Sequence, residues 1–287
     1  TIYENYVSQI NLAAAKMDDP SLLTGSMTSG QNAFAAAREI LDTISGPLYA
    51  SYRGWEYDRL MFLCQQGQRT VDAQAQLDAV AVSEDGKMMA TGGRDGMVRI
   101  WDAGSLKLLR EMKHGRDITS VAFSPDSKLV AACGDSITVH IWNVADGQLT
   151  GELKGGPKHP QGHQDHVLTV QFSPDGRRLL TTSFDNTARI WDAASQQMVE
   201  KLAGHAGHVN AAAWSRDGKW IVTGGDDRQV MIWKRAENGK FSAAGAFDGH
   251  QGALTVTGVA VAESPTEPGR LIACSVDNAG RLCAWDV

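Results

Sequence analysis

From about residue 72 onward the chain alternates apolar and polar positions in short runs, and the runs come in sets. The set over residues 162–202 is the most regular. Val167-Leu168-Thr169-Val170-Gln171-Phe172 alternates along its length, as a half-buried strand does. Ser173-Pro174-Asp175-Gly176 follows, with Pro and Gly where a tight turn needs a fixed and then a left-handed φ. Arg178–Ser183 reads as a second strand, Phe184-Asp185-Asn186 as a tight bend, Thr187–Trp191 as a third strand and Gln197–Leu202 as a fourth. Gly162-His163 opens this set and Gly204-His205 opens the next.

Each third strand ends on an apolar residue, Trp and usually Asp. The copies are Ile100-Trp101-Asp102, Ile141-Trp142-Asn143, Ile190-Trp191-Asp192, Ile232-Trp233-Lys234 and Ala284-Trp285-Asp286. The Trp-to-Trp spacings are 41, 49, 42 and 52 residues. Four strand patterns recurring at that period predict an all-β propeller whose blades are antiparallel four-stranded sheets. The chain stops two residues after Trp285, so the fifth blade is expected to be incomplete and the ring to belong to something larger.

The Gly-His, Ser-Pro-Asp-Gly, Ser-x-Asp and Trp-Asp elements, repeated over residues 72–287, resemble the WD40 family. The resemblance implies one buried polar network per blade. In blade three it would join His163, Ser183, Asp185 and Trp191: the imidazole links the Asp to the Ser hydroxyl, which takes the indole N–H, so each buried polar atom has a partner. Blade four has His205, Asp227 and Trp233, but Gly225 stands at the Ser position. Blade two has His114 and Trp142, with Asp135 seven residues before the Trp rather than six. Blade one has Asp95 and Trp101, with Ala73 at the His position. Blade five has His250, Ser275, Asp277 and Trp285, with two extra residues in the bend. One network is thus expected to be complete and four degraded or reshaped. A metal or catalytic reading of these residues fails on geometry, because they recur once per blade round a ring instead of converging.

The resemblance also implies a docking face with three positions per blade, suited to protein or peptide partners. These are Gln76, Asp78 and Arg94, then Asp117, Thr119 and Gly134, then His166, Leu168 and Phe184, then His208, Asn210 and Asp226, then Thr255, Thr257 and Val276. Phe184 stands out, since an aromatic beside a polar bend is expected to be exposed, and exposed aromatics anchor interfaces. With His166, Leu168 and His208 it would form an apolar–imidazole patch between blades three and four, pH-sensitive near about pH 6.5. The alternative is a Phe folded over its own bend. A metal held by the two His would require them to meet, which equivalent positions on neighbouring blades need not do.

Composition narrows the function. The chain has 287 residues and a formal net charge of −6, with Lys and Arg scattered and Arg177-Arg178 the densest basic pair in the repeats, so no nucleic-acid surface is expected. Its four Cys lack metal spacing: Cys64 precedes the repeats, Cys133 and Cys274 fall on second strands and Cys283 on a third. Buried free thiols are expected, with a Cys274–Cys283 disulfide across one hairpin as the alternative. The first strands, Ala79–Val82, Ser120–Phe123, Thr169–Phe172, Ala211–Trp214 and Gly258–Val261, carry no titratable residue into the channel. No cofactor and no channel-centred catalysis are therefore expected. No apolar run reaches the roughly 18 residues a membrane helix needs, so this segment is not expected to insert directly into a membrane.

Residues 1–66 read as an α-helical lead-in to the repeats of 67–287. Tyr6, Ile10, Ala13, Ala14 and Met17 share one helical face before Asp18-Asp19-Pro20 ends it. Phe34, Ala37, Ile40, Leu41 and Ile44 share another before Gly46-Pro47. Trp55–Gln65 is a third candidate helix, and Gln68–Asp72 a strand placed to complete the last blade. The segments Tyr6–Met17, Arg38–Asp42 and Arg53–Cys64 resemble the lead-in of large bacterial proteins, common in planctomycetes, that join a serine/threonine kinase and a membrane helix to C-terminal WD40 repeats. This implies a sensor or assembly arm of a signalling protein. The kinase is not in this chain, which has no Gly-rich loop, His-Arg-Asp or Asp-Phe-Gly. Location would follow the parent protein: cytoplasmic by default, membrane-tethered if the parent carries that helix. A structural spacer between domains is the competing reading.

Overall fold

The computed structural model describes residues 8–10, 39–45, 71–250, 252, 255–263 and 270–286. The chain divides into two compact units, Thr1–Val71 and Asp72–Val287. In the first, residues 8–10 and 39–43 are helical, and Ile10, Leu41 and Ile44 are buried. The expected helix at Trp55–Gln65, Cys64 and the stop at Asp18–Pro20 lie outside the described residues, as do Gln68–Thr70. Val71 and Asp72, the rest of the expected ring-closing strand, are not in a strand.

The second unit holds 19 described strands in five antiparallel sheets. Blade one is β1 (Leu77–Val82), β2 (Met88–Gly93), β3 (Met97–Asp102) and β4 (Leu108–Lys113). Blade two is β5 (Ile118–Phe123), β6 (Leu129–Gly134), β7 (Val139–Asn143) and β8 (Leu149–Leu153). Blade three is β9 (Val167–Phe172), β10 (Arg178–Ser183), β11 (Thr187–Asp192) and β12 (Met198–Ala203). Blade four is β13 (Val209–Trp214), β14 (Trp220–Gly225), β15 (Val230–Arg235) and β16 (Phe241–Phe247). Blade five has three strands: β17 (Val256–Glu263), β18 (Leu271–Asp277) and β19 (Leu282–Asp286). The first strands pack side by side in chain order, β1 on β5, β5 on β9, β9 on β13 and β13 on β17.

The turns explain the rhythm. In Ser83-Glu84-Asp85, Ser124-Pro125-Asp126, Ser173-Pro174-Asp175 and Ser215-Arg216-Asp217, the Ser hydroxyl donates to the Asp carboxylate at 2.6–2.7 Å. The same hydroxyl then accepts the first backbone N–H of the next strand at 2.9 Å. Both partners are local, so each first-to-second hairpin is specified within a few residues.

The core lies between neighbouring blades. Ile100 and Val98 of blade one pack with Ile118 and Val121 of blade two, and Ile141 and Cys133 of blade two pack with Val170 and Leu179 of blade three. Ile100, Ile118, Leu179, Ile190 and Ile221 are fully buried, each contributing about 1.5–3 kcal/mol of transfer free energy. At Gly224 a Cβ would stand 2.5 Å from Val256 Cγ1, so β14 uses glycine to let blade five approach. The thiols of Cys133, Cys274 and Cys283 are free. The disulfide alternative fails on register: Cys283 faces Ser275, and Cys274 faces Ala284.

Candidate protein-docking edge

The buried networks form, in blade five on the expected Ser275 but in blades three and four on a threonine two residues before the expected position. In blade three, His163 Nδ1 meets Asp185 Oδ2 at 2.9 Å, and His163 Nε2 meets Thr181 Oγ1 at 2.7 Å. Thr181 Oγ1 also accepts from Trp191 Nε1 at 2.9 Å. Ser183 is not a member; its hydroxyl donates to Asp165 O at 3.0 Å. Blade four is complete after all: Thr223 joins His205 (2.8 Å) to Trp233 (3.0 Å), and His205 reaches Asp227 at 2.9 Å. Blade five is complete too, with His250–Asp277 at 2.8 Å, His250–Ser275 at 2.7 Å and Trp285–Ser275 at 3.1 Å. Strand register is the reason. The hydroxyl sits two residues along the second strand from the partner of the Trp, wherever in the bend the Asp stands.

The two remaining blades are rebuilt. In blade one, Trp101 donates to Thr91 at 2.8 Å, and Arg99 takes over the missing imidazole's role by reaching Asp95 at 2.6 Å. In blade three, Arg189, at the same register as Arg99, also joins Asp185, at 3.2 Å. In blade two, Ala132 stands at the hydroxyl position, and His140 reaches His114 instead, its Nδ1 2.8 Å from His114 Nδ1. Glu152 lies 3.3 Å from His140 Nε2. Burial, with the His140 charge second, pushes His114 down to about 4. Burial also lowers His163, outweighing Asp185. For Asp185 burial acts upward, but His163, Thr187 and the Gln164 N–H outweigh it and hold the carboxyl low. Asp135 stands seven residues before Trp142 rather than six, and pairs with His166 instead, at 2.7 Å.

Above the networks, every first strand begins with a bulge. Asp78, Thr119, Leu168, Asn210 and Thr257 are the extra residues, unpaired between Leu77 and Ala79, Ile118 and Ser120, Val167 and Thr169, Val209 and Ala211, and Val256 and Gly258. A bulge re-aims its side chain out of the ladder, and here it does so once per blade along one edge. The first position is tied to the third by a backbone bond: Arg94 N to Gln76 O, Phe184 N to His166 O and Asp226 N to His208 O, at 2.9–3.0 Å. In blades two and five the tied residues are Asp135 and Asn278 rather than the expected Gly134 and Val276.

Phe184 lies between two imidazoles. Its ring stacks on His208 at 4.3 Å and on His166 at 6.0 Å, with interplanar angles of 29° and 28°. Each imidazole is held from outside by a carboxylate: His166 Nδ1 is 2.7 Å from Asp135, and His208 Nδ1 is 3.1 Å from Asp226. Phe184 is therefore half-buried, sandwiched between the histidines rather than standing free. Each imidazole faces its own carboxylate, and the Phe ring lies between the two. Asp226 is held low: burial acts upward, but bonds from Thr255, Asn210 and His208 outweigh it. Asn210 Nδ2 donates to Asp226 at 2.7 Å and to Thr255 at 2.6 Å, fastening blade four to blade five. Thr119 Oγ1 donates to Leu168 O at 2.8 Å, fastening blade two to three. Arg94 pairs with Asp78 at 2.7 Å on blade one, Asp117 is exposed, and Thr257 reaches only Val276 O at 3.4 Å.

At the opposite end of the first strands a cleft of about 680 Å³ is lined by Val82, Phe123, Phe172, Trp214 and Val261, with Glu84 and Arg216 from the turns. Among the described residues no group of three or more His, Cys, Asp or Glu converges as a metal site, and no helix is long and apolar enough to cross a membrane.

A family model for the WD domain, G-beta repeat (WD40), matches residues 68–102, 106–143, 157–192 and 196–234. No curated protein matches the chain. The fifth blade lies outside the four matched repeats, yet it carries the same His250–Asp277–Ser275–Trp285 network as blades three and four. With four matched repeats, a repeated network and five like sheets, the chain belongs to the WD40 repeat family.

Proposed function

We propose that this chain is a non-catalytic docking module that holds a protein or peptide partner at the edge between blades three and four. WD40 repeats generally mediate protein–protein interaction, and the observation that carries the local reading is the His166–Phe184–His208 stack. A hydrophobic ring fixed between two partly exposed imidazoles, with Asp135 and Asp226 outside them, offers an apolar anchor inside a polar rim. The finer reading is that the module is the sensor or assembly arm of a larger bacterial signalling protein, with residues 1–66 as its helical lead-in and 67–287 as its repeats. What supports that is the resemblance of Tyr6–Met17, Arg38–Asp42 and Arg53–Cys64 to the lead-in of kinase–WD40 proteins. Affinity capture from the host tests the docking edge. Phe184→Ala and His208→Ala are each expected to lose a partner that the unmodified chain retains, with melting midpoints unchanged within a few degrees. Equal capture by all three would overturn docking at this edge and favour a spacer. A kinase domain encoded upstream would support the signalling arm, and a gene without one would remove it.

A further inference from the structure

At the end of the blades opposite the docking edge, a cleft of about 230 Å³ between blades three and four is lined by Arg178, Arg216 and Arg235, with Trp214 and Pro174 as walls. These arginines are far apart in sequence, and the fold gathers them. Arg178 Nη1 donates to Gly239 O at 3.3 Å. A Cβ on Gly239 would lie 3.8 Å from Arg178 Nη2 and 3.9 Å from Arg235 Nη2, so two guanidiniums converge over one turn. Among the described residues none of the three forms an ion pair, whereas Arg94, Arg99 and Arg189 each do. Two carboxylates also line the cleft, neither ion-paired with these arginines: Asp175 accepts from Ser173 Oγ and Arg177 N, and Asp217 from Ser215 Oγ and Lys219 N.

The fold does not need these charges. Opposite the residue that follows each Trp, the other blades place Met88, Leu129, Trp220 and Ile272, where blade three has Arg178. Two residues past the Trp the earlier blades have Ala103, Val144 and Ala193, where blade four has Arg235. The turn position of Arg216 is Pro125 in blade two and Pro174 in blade three. Three departures from the repeat, on two blades, thus meet in one cleft. Guanidinium offers forked donors that match a tetrahedral oxyanion, and the half-burial of Arg178 and Arg235 strengthens their attraction over that of an exposed charge such as Arg216.

We infer that this cleft binds a phosphate-type oxyanion, with Arg178, Arg216 and Arg235 donating to its oxygens and the Trp214 and Pro174 walls receiving the group that carries it. Calorimetric titration of the full chain with inorganic phosphate and with phenyl phosphate, at fixed ionic strength, tests this. Saturable binding is expected, weakened about tenfold or more by each of Arg178→Leu, Arg216→Pro and Arg235→Ala, since charge-assisted bonds are worth that much. These substitutions use residue types that other blades carry at the same positions, and Lys128→Gln on blade two serves as the unaffected control. Tighter binding of phenyl phosphate would assign the ligand to an organic monoester and equal binding to the free oxyanion; both support the cleft. No binding at millimolar ligand, or binding that survives in the triple variant, overturns it. Should a variant fail to fold, arginine Nε–H resonances of the unmodified chain decide. Phosphate must shift those of Arg178, Arg216 and Arg235, and shifts confined to other arginines would overturn the assignment.

Discussion

Acidification should weaken this propeller at blade two. His114 is buried, its Nδ1 faces His140 Nδ1 at 2.8 Å, and its Nε2 has no hydrogen-bond partner. Burial, and then the neighbouring imidazole, depress it from 6.5 to about 4. Because the folded value lies below the unfolded one, the unfolded chain takes up the proton first. The stability tied to neutral His114 is complete above pH 6.5 and is lost as pH falls towards about 4. Linkage over that window gives a loss of about 2 kcal/mol by pH 5 and about 3 kcal/mol in all. The assay is urea unfolding at pH 8, 7, 6 and 5 for the unmodified chain and for His114→Gln, which cannot titrate. The variant is expected to be less stable at pH 8 but to lose about 2 kcal/mol less between pH 8 and pH 5. His163 is also depressed by burial and adds to the loss in both proteins, so it cancels in the comparison. Equal pH dependence in the two would refute the reasoning.

Three further outcomes follow from the networks and the packing. Thr181→Val should cost about 2–3 kcal/mol by stranding Trp191 Nε1 and His163 Nε2, whereas Ser183→Ala should cost under about 1 kcal/mol; urea midpoints separate them. Ala132→Thr should supply the hydroxyl that blade two lacks between His114 and Trp142, raising stability by about 1 kcal/mol, or about 2–4 °C in melting midpoint, and a fall would mean the site is already full. Gly134→Ala would place a Cβ 1.9 Å from the backbone oxygen of Asp117, so a loss above about 2 kcal/mol is expected, and an unchanged melting midpoint would contradict the bulge geometry.

The blade rhythm was legible because Trp, the Ser-x-Asp turns and the alternating runs are local signals. The hydroxyl of the network was not, because counting from the bend Asp reaches Ser183, while pairing with the Trp strand selects Thr181. Counting ten residues back from each Trp reaches Thr91, Ala132, Thr181, Thr223 and Ser275, a regularity present in the sequence but visible only once register is considered. In blade five both counts reach Ser275, since Asp277 stands eight residues before its Trp rather than six. Arg99 and Arg189 were missed for a similar reason: two residues before the Trp looks like an ordinary strand position, yet it points at the bend carboxylate. Phe184 was legible as the unusual residue of the candidate docking edge. Its imidazole sandwich was not, because contacts between blades depend on the bulges and the tilt of neighbouring sheets.

The networks also have a direction. The carboxylate of Asp185 can only accept, so His163 Nδ1 must carry the proton, which leaves Nε2 bare. Thr181 must then give its single hydroxyl proton to Nε2 and keep its lone pairs for the indole of Trp191. Every proton along the path is displaced the same way, from the third strand through the second to the bend, and blades four and five repeat the same set of partners. Such a chain has a head and a tail. Exchanging Asp185 for an amide would put a donor at the head and allow His163 to turn over its tautomer; the reversal would stop at Thr181, which would accept from both His163 and the donor-only indole of Trp191 and turn its own proton to Arg189 O.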